Sequence, residues 1–146
     1  MFINLAYKLI CAANDLKHIH THASGPFFFT IHEVIGEYYD ECSNQADYVT
    51  ELALEFGEIM ENPNLAADLV GWKETNMAEY DLKTAIYSVK DIMSDIYDAM
   101  VEVDNEKSIT PDAKNKIEEF MRYWAKENNY KRYILKYDCQ FRAGFY

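Results

Sequence analysis

Leu82, Ile86, Val89, Met93, Ile96, Met100 and Val103 recur every three or four residues along about six helical turns. A stripe of that length is the apolar face of a helix buried against other helices. Three further segments carry the same period. Phe2, Leu5, Leu9, Ala12, Leu16 and Ile19 form the first. Ile31, Ile35, Tyr38, Cys42, Val49, Leu52 and Phe56 form the second, with Gln45 and Ala46 at the intermediate turn. Ile117, Met121, Trp124, Asn128, Lys131 and Leu135 give a looser last stripe, supported by Phe120 and Ile134. Five glycines and three prolines in 146 residues leave few places to turn, so the reading is a few long helices in a single domain over 1–146.

The breaks between stripes set the connectivity. Ser24-Gly25-Pro26 separates the first stripe from the second, with the proline near the first helical position. Residues 57–76 make a long connection with room for one short helix around Leu65 to Val70. Asn76 followed by Glu79 has the spacing of a capping box for the third long helix. Thr110-Pro111-Asp112 supplies a cap, a proline and a helix-start acid for the fourth. Hairpin, long crossover, hairpin is the connectivity of an all-α, ferritin-like four-helix bundle.

Charge and cysteine usage exclude several classes. A net charge of -11 argues against gripping nucleic acid through its phosphates. Cys11, Cys42 and Cys139 are odd in number and widely spaced, which suits reduced thiols in the cytoplasm better than a disulfide framework. The opening stretch carries Lys8 in its middle and lacks a basic start and a cleavage site, so it is not read as a signal peptide. No run approaches the eighteen apolar residues of a membrane span.

All four histidines fall between residues 18 and 33, on either side of the Gly25-Pro26 break. The Glu-x-x-His pair of a conventional di-iron bundle is absent. His20 and His32 can face each other across the turn, while Asp47 and Glu51 offer carboxylates one turn apart further along the second helix. Fifteen residues separate His32 from Asp47, about 22 Å on a straight helix. Metal bonds of about 2 Å cannot span that. Two subunits packed antiparallel about a two-fold axis can bring the two ends together, giving two equivalent sites per dimer. His18 and His22 are read as lying outside the ligand set, and Trp72 and Trp124 as packing residues.

At this point the sequence resembles the Dps family, the mini-ferritins also called DNA-binding proteins from starved cells. His20, Gly25, Pro26, Phe27, Phe28 and His32-Glu33 reproduce that family's run at its spacing, with Asp47 and Glu51 following at the family's intervals. The match is strongest over residues 16–56 and continues weakly from Ser108 to Trp124. The resemblance implies a dodecameric shell with metal sites at two-fold interfaces, where His20, His32, Asp47 and Glu51 hold iron. It also implies oxidation of Fe(II) by hydrogen peroxide or oxygen, storage of the Fe(III) product inside, and so protection from oxidative stress.

Two departures qualify it. Where the family has an Asp four residues after the second histidine, this chain has Gly36. That leaves two readings open: a ferroxidase, or a shell whose site is degenerate, holding zinc or no metal and turning nothing over. A small helical partner protein, monomeric or dimeric, is the third. The second departure is the missing lysine-rich N-terminal tail. Lys131, Arg132, Lys136 and Arg142 do not make up for it, so direct DNA binding is not expected.

Overall fold

The computed structural model describes residues 1–26 and 28–142, with side chains for all of these except residues 30 and 129–142. Four long helices, α1 (Phe2–His22), α2 (Phe28–Glu55), α4 (Leu82–Asp104) and α5 (Pro111–Arg142), form the bundle. A turn of 3-10 helix (Pro63–Leu65) runs into the short α3 (Ala66–Val70) within the crossover. Among the described residues no helix is long and apolar enough to cross a membrane.

The stripes close on one another. All seven apolar positions of the α4 stripe are buried, facing Leu5, Leu9, Leu16 and Ile19 of α1, Ile31, Ile35 and Val49 of α2, and Ile117 and Trp124 of α5. Each such side chain withdrawn from water contributes roughly 1.5–3 kcal/mol, which is what holds helices together that are individually marginal in water. Phe56 differs from its expected place: it falls one residue past α2, half-exposed, with its ring edge against Phe2.

Long-range hydrogen bonds fix the direction of α2 and of the crossover against α1. α2 runs back along α1 and delivers Glu58 to the α1 N-terminus, where its carboxylate accepts from the Met1 ammonium (2.5 Å) and the amides of Phe2 (3.0 Å) and Ile3 (3.3 Å). Those amides have no partner inside α1, so Glu58 supplies the missing cap and complements the helix dipole. The crossover then climbs the length of α1. Glu61 N–H donates to the Tyr7 hydroxyl, Trp72 Nε1 to Asp15, and Tyr80 N–H to the His22 carbonyl.

α4 starts five residues later than the capping-box spacing suggested. Asp81, not Asn76, is its cap, with its carboxylate accepting from Thr84 N–H at 2.8 Å. Residues 75–80 are engaged otherwise. Tyr80 is buried and pairs with Ala23 in an isolated bridge, and its hydroxyl meets Thr75 Oγ1 and Met77 N–H. Thr110 and Pro111 open α5 as the sequence suggested, and Lys114 clasps the α4 C-terminus by donating to the Asp104 carbonyl at 2.7 Å. α5 continues through Lys131, Arg132, Lys136, Cys139 and Arg142. The side chains of these five, and of Ile134 and Leu135, lie outside the described residues.

Candidate metal centre

The turn joining α1 to α2 is short because Gly25 takes a left-handed conformation (φ 97°), which a residue with a side chain adopts only under strain. Phe28 N–H donates to the Gly25 carbonyl at 3.1 Å and closes the turn. The reversal sets the last turn of α1 beside the first of α2, so that His20 meets His32.

Their rings stack with centroids 3.7 Å apart and planes 16° from parallel. Each holds the other's backbone: His20 Nδ1 donates to the His32 carbonyl at 2.5 Å, and His32 Nδ1 to the His20 carbonyl at 2.8 Å. A carbonyl oxygen can only accept, so each Nδ1 carries a proton, and Nε2 is the ring nitrogen left to offer a lone pair to an ion. Metal-bound histidines typically have this arrangement, one nitrogen anchored to an acceptor and the other left for the ion. The Phe28 ring also stacks on His32, with centroids 5.0 Å apart.

His18 and His22 form a separate pair. They lie one turn apart on α1, with ring centroids 4.1 Å apart. His18 Nε2 donates to the Met77 carbonyl at 2.9 Å and His22 Nδ1 to the His18 carbonyl at 2.8 Å. The first of these bonds ties the end of the crossover to α1.

Asp47 and Glu51 lie on the exposed face of α2, and neither carboxylate makes a hydrogen bond or ion pair among the described residues. α2 is continuous between them and the imidazoles, so within one chain Asp47 stays about 22 Å and Glu51 about 28 Å from His32. The structure thus brings His20 and His32 together and leaves Asp47 and Glu51 at the far end of the same helix. Among the described residues of a single chain, no three His, Cys, Asp or Glu side chains gather closely enough to hold a metal ion. The whole of α2 is electronegative: it carries no Lys or Arg, while Glu33, Glu37, Asp40, Asp47, Glu51 and Glu55 all point outward. That field attracts cations.

Three residues escaped the sequence reading. Gly36 read as a missing ligand, yet it lies directly against the His20 ring. A lone glycine inside a helical pattern is the signal that a close neighbour is present. Asp15 is 5% exposed on the α1 face beneath the crossover, where it accepts from Trp72 Nε1 at 2.8 Å and Thr75 N–H at 3.3 Å. Burial pushes its carboxyl above the usual range, and these two bonds offset only part of that. Tyr80 gave no local sign of its role as an anchor.

A helical bundle with one full-length crossover, carrying an anchored imidazole pair at one end, falls in the ferritin-like class. The chain belongs to the family described as Ferritin-like domain, whose model matches residues 5–126. At the level of the superfamily that fold is associated with binding and storing iron. Among solved structures the chain is similar to antigen TpF1 from Treponema pallidum. The two are 19% identical, with a TM-score of 0.80 over 92% of this chain and 91% of that one. At that identity the likeness bears on the fold alone. No curated protein sequence matches the chain.

Proposed function

We propose that the protein is a mini-ferritin of the Dps type, which binds Fe(II) between two subunits, oxidises it and retains the Fe(III) product within a dodecameric shell. The observation that carries this reading is the His20–His32 pair, whose Nδ1 atoms are spent on backbone carbonyls and whose Nε2 atoms remain for an ion. Asp47 and Glu51 of a neighbouring copy complete the ligand set with oxygen donors, which hold the Fe(III) product well. Two Fe(II) ions each give up one electron to one hydrogen peroxide, which takes up two protons and leaves as two waters.

The distribution of apolar residues on α2 supports the same register. Phe29 is 83% exposed and lies three residues before His32; Leu54 is 58% exposed and lies three residues after Glu51. An antiparallel pairing that sets His32 against the partner's Asp47–Glu51 turn therefore also sets Phe29 against Leu54, covering both. Ile59, 87% exposed just beyond α2, extends the patch.

Fe(II) oxidation followed by absorbance, with peroxide or air as oxidant, tests the proposal. The native protein should outpace protein-free buffer, and His32→Ala should lose that advantage. Rates equal to buffer for the native protein would reject ferroxidase activity. A second reading is favoured by Gly36, which contributes no oxygen donor and leaves two imidazoles with two carboxylates, a four-ligand set that suits zinc: the shell holds zinc and does not turn over iron. Stoichiometric zinc in the purified protein, together with no iron oxidation, would select it.

A further inference from the structure

We propose that Gly36 is the positioning residue of this centre: its lack of a side chain gives the His20 imidazole a seat on the α2 backbone and so holds both Nε2 atoms free for metal. This rests on the metal-binding reading above. A Cβ at position 36 would stand 2.9 Å from His20 Cε1, 3.2 Å from Nδ1 and 3.7 Å from Nε2, and all three nearest atoms belong to that one ring. The first distance is well inside the contact separation of two carbons, about 3.5–4.0 Å.

The ring has nowhere to retreat without loss. It is stacked on His32 at 3.7 Å, and its Nδ1 is tied to the His32 carbonyl. Moving off a new methyl group breaks that hydrogen bond, and the proton is then free to occupy Nε2, the atom a metal needs. Glycine is, after proline, the residue least suited to a helix interior, and Gly36 is the only glycine within α2. The seat explains its presence. With the ring seated as it is in this chain, a side chain at position 36 has to displace it: an Asp placed there moves one ligand while adding another.

The test uses assembled protein stripped by a chelator and titrated with Co(II), read by its visible absorption, alongside thermal melting of the metal-free form. Gly36→Ala is expected to weaken Co(II) binding at least about tenfold, the scale of losing an anchoring contact to a ligand. Gly36→Asp is expected to weaken it too. In a His20→Ala background, Gly36→Ala should leave the residual affinity unchanged and raise the melting temperature by about 3 °C, the gain of a better helix former. With His20 present that gain should shrink or reverse.

Native affinity retained in Gly36→Ala, or tighter binding by Gly36→Asp, overturns the inference while leaving the metal centre standing. Absence of Co(II) binding by the native protein overturns both. If Gly36→Ala fails to fold with His20 present but folds in the His20→Ala background, the steric seat is supported. Failure in both backgrounds overturns it.

Discussion

Mixing two defective forms of the protein tests the proposed inter-subunit centre. Along α2, His32 is about 22 Å from Asp47 and about 28 Å from Glu51 at 1.5 Å per residue, and the helix is continuous between them. Two ligands of one ion, each about 2 Å from it, lie no more than about 4 Å apart. One form would carry His20→Ala and His32→Ala; the other would carry Asp47→Ala and Glu51→Ala. Neither alone can build a complete site. In the proposed shells, assembled from equal amounts, half of the two-fold pairs would be hybrids. Each hybrid holds one site with all of its defects and one with none, because intact imidazoles of one copy meet intact carboxylates of the other. The expected rate is therefore about a quarter of the native rate, from two parents that show none. The assay is the initial growth of Fe(III) absorbance after peroxide addition, with the subunit ratio of each shell measured by mass spectrometry. Mixed shells of correct composition that stay at the parental baseline would refute the geometry. Near-native activity in either parent would do so as well.

Three other expectations concern stability and reactivity. Trp124 Nε1 donates to Gln45 Oε1 at 2.7 Å, and both residues are 1% exposed. Gln45→Leu leaves that N–H without an acceptor and should cost about 1–3 kcal/mol in denaturant titration, part of it recovered when Trp124→Phe removes the donor. Glu58→Gln should lower stability by about 1–2 kcal/mol at neutral pH, the scale of a lost charged cap. Burial pushes the Glu58 carboxyl up, but the N-terminal ammonium and the Phe2 and Ile3 amides pull it further down, so it ends below the ordinary range. Its contribution is therefore complete above the ordinary carboxylate range and fades as pH falls through the lowered value, where the variant and native melting curves should converge. Burial, then the nearby Asp15 and Glu74, push the Cys11 thiol up to about 11, and burial pushes Cys42 higher still. Peptide mapping after a thiol-specific reagent at neutral pH should find both unlabelled in the folded protein and labelled in denaturant.

How far the fold was legible depended on whether its cause was local. The α4 stripe and the Thr110-Pro111 start are properties of adjacent residues, and both appear where the sequence put them. The start of α4 was displaced because Tyr80, buried against the end of α1, holds the chain in a bridge to Ala23 until Asp81. Nothing near residue 80 announces a partner more than fifty residues away. Glu58 is hidden for the same reason, since the helix it caps begins 56 residues earlier. In the centre, the spacing of His20 and His32 across a Gly-Pro turn made their meeting legible. The reciprocal backbone bonds were not, because they depend on the separation and tilt of two packed helices. Gly36 lay between these cases: its cost was visible in the sequence, and its closeness to the His20 ring required the position of a side chain from another helix.

The crossover is laced to α1 rung by rung: Glu61 to Tyr7, Trp72 to Asp15, Met77 to His18, Tyr80 to His22. A strand of chain with little regular structure of its own thus borrows its ruler from a neighbour of 21 residues, about 31 Å long. Lengthening or shortening α1 by a turn would leave the lace with a spare eyelet or one too few. The two segments are obliged to change size together, although more than thirty residues lie between them in the chain.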